Sequence, residues 1–216
     1  MSPLPPIKPT KCARIQELCA FSSYTFAMNI ERNLLTRNPF SRPGTYINNV
    51  KGVVIHWVAN PGTTAAQNRN YFESLKNQAP CQRNERYASA HFVIGLQGEI
   101  IQCIPATERA YHVGATTYKP EALQKLSSYP NNCTLGIELC HPDWSGAFTS
   151  ETLDSAAELC ALLCIQHGLN PETALWRHYD VTGKNCPKYF VEKPQEWEQF
   201  KKEVMQRTKR AQSIKA

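Results

Sequence analysis

The sequence has no run of about eighteen apolar residues, so no membrane-spanning helix is expected. Its opening, Met1-Ser2-Pro3-Leu4-Pro5-Pro6, carries no basic segment. The later apolar stretch from Leu18 to Met28 is broken by Ser22, Ser23, Tyr24 and Thr25, so no secretory signal is expected either. A Gly/Ser linker and internal repeats are also missing, which argues against a second module. There is no H-E-x-x-H, the helical signature of many zinc peptidases, and no C-x-x-C pair of the kind that builds closed structural zinc sites. The net charge of +6 is spread along the chain without interleaved aromatics, so a nucleic-acid partner is not expected.

What is present reads as a soluble globular domain. At 216 residues the chain is long enough for one domain with a full core. Three regions are expected: an N-terminal arm over 1–29, a main domain over 30–206 and a basic, frayed tail over 207–216. Four prolines open the arm, and Cys12, Ile15, Leu18 and Cys19 then recur at helical spacing. The nine cysteines form no disulfide framework. Cys160 and Cys164 lie four apart in a helical pattern and share its apolar face, which points to reduced, mostly buried thiols.

Hydrophobic periodicity sets the order of elements. Val53-Val54-Ile55-His56-Trp57-Val58 reads as a central strand buried on both faces. Thr63 or Thr64 caps a helix with Ala66, Tyr71, Phe72 and Leu75 on its inner side. Tyr87 to Gly95 and Glu99 to Ile104 form a hairpin across a Gly-bearing turn. Arg109 to Gly114 is a loop with His112 exposed, followed by a long loop to about Asn132 that suits one wall of a groove. Thr134 to Leu139 is a second central strand. In it Glu138 sits between Ile137 and Leu139, a costly place for a carboxylate unless it is paired or used. Thr149 caps a helix carrying Leu153, Ala156, Cys160, Leu163, Cys164 and His167, which stops at Gly168. Leu175 to His178 closes the sheet, and a last helix from about Pro194 buries Trp197, Phe200 and Val204. The alternation implies an α/β fold with a central mixed sheet flanked by helices.

The richest stretch is Arg177-His178-Tyr179-Asp180-Val181-Thr182-Gly183-Lys184-Asn185-Cys186-Pro187. Imidazole and thiolate are common zinc ligands, and the turn at Gly183 lets the thiol return beside the ring. His56, at the end of its own strand, supplies a third ligand. Three protein ligands with an open fourth position describe a catalytic rather than a structural zinc. Taken singly, a buried histidine is more often an ordinary core residue, and His91 and His141 read as a hairpin residue and a loop residue.

Five motifs in order carry a resemblance: Gly52 to His56, Ser89 to Phe92, Ala110 to Gly114, Leu135 to Leu139, and His178 with Lys184 to Pro187. Over roughly residues 46–203 the chain resembles the type-2 N-acetylmuramoyl-L-alanine amidases, which include autolysins, phage endolysins and peptidoglycan recognition proteins. The resemblance implies a single amidase domain that holds Zn2+ through His56, His178 and Cys186. It implies Glu138 and Lys184 as catalytic residues and His112 as a substrate contact. The substrate would be peptidoglycan or a muropeptide, and the bond cut would join N-acetylmuramic acid to L-alanine. Synthesis in a bacterial or phage-infected cytoplasm, with release to the wall, goes with it. One departure stands out: Ala90 occupies a position where phage-type members and recognition proteins carry tyrosine. Two other functions compete: a module that binds muropeptides without cutting, and a zinc peptidase on the stem peptide. The first requires loss of a ligand or of Glu138; the second requires the missing H-E-x-x-H.

Overall fold

The computed structural model describes residues 28–79, 81 and 83–213. The expected arm over 1–29 lies almost wholly outside the described residues. Six strands form one sheet: β1 (Ile30–Arg32), β2 (Gly52–Trp57), β3 (Phe92–Ile94), β4 (Ile100–Gln102), β5 (Thr134–Leu139) and β6 (Leu175–Arg177), in the order β1-β4-β3-β5-β2-β6. Only the β3–β4 hairpin is antiparallel; the other neighbours run parallel. The sheet is therefore mixed, as its α/β alternation implied. β2 and β5 are the near-continuous apolar runs, and they lie inside the sheet with helices over both faces. That is where side chains must be apolar on two sides.

Alternation along the strands divides the residues between the two faces. Val53 and Ile55 of β2, Leu135, Ile137 and Leu139 of β5, and Phe92 and Ile94 of β3 point one way, into the largest apolar cluster. Over them lie α3 (Ser150–His167) and α7 (Pro194–Ser213), with Leu159, Cys160, Leu163, Phe200 and Val204 in the contact. α3 starts where Thr149 Oγ1 accepts the Thr152 N–H at 3.1 Å and ends at Gly168, whose φ of 64° suits a residue without Cβ.

The opposite face holds two smaller clusters. One gathers Ala65 and Phe72 of α1 (Ala65–Ser74) against Val93 and Ile101. The other sets Val54 and Trp176 against Ala122 of α2 (Pro120–Lys125) and Val181 of α5 (His178–Thr182). Between them the alternation places His56 and, directly across the β2–β5 ladder, Glu138.

Two expectations change. The inner side of α1 is Ala65, Asn68 and Phe72, while Ala66 is exposed and Tyr71 is 44% exposed. The Thr64–Gln67 capping box sets that phase, and the buried Asn68 amide is satisfied by Thr63 Oγ1 at 2.9 Å and the Thr64 carbonyl at 2.8 Å. The frayed tail is the second. α7 continues to Ser213, because Arg207 pairs with Asp154 and Glu158 of α3 as well as with Glu203. Among the described residues no helix is long and apolar enough to cross a membrane.

Candidate active site

β6 ends at Arg177, and its side chain pairs with Asp180 at 2.7 Å while Asp180 also accepts the Arg177 N–H at 2.8 Å. That pair starts α5 with His178 as the first residue. Gly183, at φ 85°, ends α5 after one turn and sends the chain back. The Tyr179 N–H then donates to the Cys186 carbonyl at 2.9 Å, closing the loop with the thiol beside the His178 ring.

His56 reaches the same point from β2. Its Nδ1 lies 3.0 Å from His178 Nδ1 and 3.8 Å from Cys186 Sγ. All three side chains are buried, and one ligand atom from each fits within 4.8 Å, so the group could hold a metal ion. Burial holds both imidazoles below their ordinary pKa, His178 at about 4 and His56 well below 6.5, so both rings are neutral at pH 7 and able to ligate. The Cys186 thiol is pushed up to about 12 by burial, against the pull of the Trp57 backbone N–H and Lys184.

Glu138 faces this group. Burial raises its carboxyl to about 8, with the Lys184 ammonium pulling the other way. Its Oε2 is buried and has no hydrogen-bond partner. A cleft of about 280 Å³ opens over these residues, lined by His56, Glu138, His178, Lys184 and Cys186, with Tyr87, Tyr111 and Tyr129 on its walls. All six residues singled out in the sequence thus meet at one cleft.

Of the other histidines, His91 lies beside β3 in the hairpin and His141 in a loop, as read, while His112 departs from its sequence reading. His112 is only 7% exposed and not an exposed loop residue. Its backbone N–H donates to Asn131 Oδ1 at 3.2 Å, and its ring lies over β5 against His56. His91 is wholly buried, between the Gly136 N–H, donating to its Nδ1 at 2.9 Å, and the Glu108 carbonyl, 2.9 Å from its Nε2. Burial lowers its pKa to about 4. His141 is also buried and stacks on Trp57, with ring centres 4.6 Å apart. Ala90 is fully buried, so its side chain offers nothing to the cleft. The three wall tyrosines were not singled out in the sequence. Tyr111 was in reach, since it adjoins His112 in a quoted motif; Tyr87 and Tyr129 stand in loops with no periodic signal.

Residues 46–189 match the N-acetylmuramoyl-L-alanine amidase family (Amidase_2). A "Probable N-acetylmuramoyl-L-alanine amidase" of Bacillus licheniformis is 37% identical over 177 residues, covering 82% of this chain and 47% of the relative. The N-acetylmuramoyl-L-alanine amidase BlyA of Bacillus subtilis (strain 168) is 34% identical, covering 77% of this chain and 44% of BlyA. The chain thus spans about half the length of the curated relatives it matches. Among solved structures, the PlyG catalytic domain superposes with a TM-score of 0.64 at 19% identity, covering 84% of this chain and 96% of that one. The Staphylococcus aureus hydrolase AmiA superposes at 0.60 and 18% identity, covering 95% of each. The fold is common to these structures, and the chain belongs to the N-acetylmuramoyl-L-alanine amidase family.

Proposed function

We propose that this domain hydrolyses the amide between the lactyl group of N-acetylmuramic acid and L-alanine in peptidoglycan or muropeptides, and that it does so with zinc. The observation that carries the reading is the His56–His178–Cys186 group sharing its cleft with Glu138, whose buried Oε2 has no hydrogen-bond partner. A tetrahedral zinc ion spaces its ligand atoms by about 3.3 Å (N to N) and about 3.6 Å (N to S). Two of the three separations, 3.0 and 3.8 Å, lie within about 0.3 Å of these spacings, and all three ligand atoms fall within 4.8 Å of one another. Two neutral imidazoles and one thiolate suit zinc's preference for nitrogen and sulfur, and three ligands leave a position open toward the cleft.

When bound, zinc would supply Lewis-acid polarisation of the amide carbonyl and a lowered pKa for water. The protein's own residues do the rest. Glu138, as the carboxylate, takes a proton from the attacking water. It returns that proton to the departing alanine nitrogen as the C–N bond breaks and the lactyl carbon gains oxygen. Lys184 donates to the oxyanion that develops on the carbonyl, a contribution of about 3–4 kcal/mol for a comparable single donor. The tyrosine walls offer aromatic faces and hydroxyls to the sugar and peptide on either side of the bond. The net positive charge would favour an anionic cell wall, reached after release from the cytoplasm.

Digestion of purified walls tests the reading. It expects alanine as the only new N-terminus, one zinc per chain, and loss of activity on chelation without unfolding. Full activity in metal-free protein, or new N-termini other than alanine, would overturn it.

A further inference from the structure

We propose that His112 is a positioning residue for the metal site: it fixes the tautomer of His56 so that the Nδ1 lone pair faces His178 and Cys186. The proposal rests on the zinc reading above and departs from the substrate contact that the family resemblance implied for this residue.

The hydrogen bonds, followed from Thr134 to His56, leave one assignment. Thr134 Oγ1 donates its proton to the Pro130 carbonyl at 2.8 Å. Toward His112 that hydroxyl can therefore only accept, as can the Thr134 carbonyl oxygen. His112 Nε2 lies 3.2 Å from the hydroxyl and 3.3 Å from the carbonyl, so Nε2 carries the proton. A neutral imidazole with its proton on Nε2 has a bare Nδ1. His112 Nδ1 lies 3.0 Å from His56 Nε2, which must then be the donor. The proton of His56 is thus on Nε2, and its Nδ1 is left as a lone pair, 3.0 Å from His178 Nδ1 and 3.8 Å from Cys186 Sγ. Which nitrogen of a histidine takes a metal is set by the hydrogen bond the other nitrogen makes, and such partners orient the ligand ring.

The packing is arranged for that contact. Thr134, Gly136 and Glu138 alternate onto the same face of β5 as His56 does on β2, with Gly136 level with Val54 and Glu138 with His56. A Cβ at Gly136 would lie 2.4 Å from His112 Cγ, so the missing side chain is the space the ring occupies. Asn131 Oδ1 accepts both the His112 and Val113 N–H groups, at 3.2 and 3.0 Å, and anchors the segment from the other side. His91 is packed edge-on against the same ring, with centres 5.7 Å apart. A ring with both nitrogens engaged and its backbone anchored has little left to offer a substrate.

The test compares His112→Ala, His112→Asn and Gly136→Ala with the parent protein. The readouts are zinc affinity by chelator competition, the His56 tautomer by long-range proton–nitrogen NMR of the metal-free protein, and kcat and KM at saturating zinc. His112→Ala should weaken zinc binding about 10–100-fold and leave His56 in a mixture of tautomers, with KM for muropeptide little changed. In His112→Asn the side-chain oxygen stands near the Nδ1 position, so most of the affinity should return. Gly136→Ala, which displaces the ring without altering a ligand, should weaken zinc binding in the same direction. If His112→Ala keeps zinc affinity within about twofold while KM rises, the residue contacts substrate and the proposal fails. The parent protein alone also decides: a His56 proton found on Nδ1 in the metal-free state overturns the proposal even if every variant misfolds. Absence of zinc binding by the parent would sink the zinc reading instead, a result the tautomer measurement does not depend on.

Discussion

The two faces of the sheet solve different problems with the same strands. Under α3 and α7 the face is one continuous apolar layer, from Val53 through Ile137 to Phe200. On the other face the apolar residues fall into two separate clusters, and the gap between them holds His56, Glu138 and the ring of His112. Burying a polar group without a partner costs about 1–3 kcal/mol by protein mutational measures, more for a charge. His91, His112 and Asn68 meet that cost with hydrogen bonds; Glu138 Oε2 does not. The continuous apolar layer lies on the first face, and the unpartnered Glu138 oxygen that the proposed chemistry uses lies on the second. Changes on the two faces should therefore separate cleanly into losses of stability and losses of turnover.

The largest effect expected is on the site face. Glu138→Gln keeps the shape but removes the proposed base, so the chemical step should slow by about 10²–10⁴-fold with zinc content and melting temperature nearly unchanged. Metal analysis, calorimetry and single-turnover kinetics on one preparation would check this. Near-parental turnover would put the base elsewhere, and loss of zinc would make the residue structural.

Next comes the opposite face. Phe200 is buried in the main cluster, in contact with Phe190 and Trp197. Phe200→Ala should cost about 3–5 kcal/mol of stability, read by denaturant unfolding, while kcat per folded molecule stays at the parental level. A fall in kcat without loss of stability would blur the division between the faces.

How far each face is visible in the sequence follows from the same contrast. The apolar face was legible because its signals are local: β-branched runs for β2 and β5, and for α3 the Thr149 cap, the 3.6 period and Gly168. The metal-type residues were legible because His56 ends a strand run and His178 and Cys186 flank a turn. The arrangement behind them was not. That His112 is buried depends on Asn131, nineteen positions on, and on the absence of a side chain at Gly136. Neither has a periodicity that points back to a loop histidine. Half of the inner side of α1 was misread: Phe72 and Leu75 are buried as expected, but Ala65 and the satisfied Asn68 stand where hydrophobicity alone selected Ala66 and Tyr71. The last turns of α7 were misread because a basic run looks solvated until its acidic partners on α3 are known.

A smaller effect is expected from His91, whose ring sits behind the site face with both nitrogens engaged. Its pKa is lowered from 6.5 to about 4, so the fold favours the neutral ring. Above pH 6.5 neither the folded nor the unfolded state is protonated there, and the group adds no pH dependence. Between pH 6.5 and 4 the unfolded chain binds a proton that the folded state refuses, so stability falls as pH falls, by about 2 kcal/mol at pH 5. In His91→Asn, whose side-chain oxygen can still accept the Gly136 N–H, the stability difference between pH 7 and pH 5 should shrink by about that amount. Parallel pH profiles for the two proteins would show that His91 is not held neutral.

The smallest effect lies at the end of α3, on the apolar face but outside its core. Thr149 Oγ1 accepts the Thr152 N–H at 3.1 Å and donates to the Leu96 carbonyl at 2.7 Å, so one hydroxyl joins the helix start to the β3–β4 hairpin. Thr149→Ala leaves an N-terminal N–H and a carbonyl without that partner, and a lost cap typically costs about 1 kcal/mol. Thr149→Ser keeps the oxygen and should recover most of the loss, which separates the cap from the packing of the methyl group. Because the change touches no cleft residue, kcat and KM should hold at parental values in both variants while the melting temperature of the alanine variant drops by a few degrees. If Thr149→Ala lowers turnover as well, the hairpin that α3 supports is coupled to the site, and the two faces are less independent than their packing suggests.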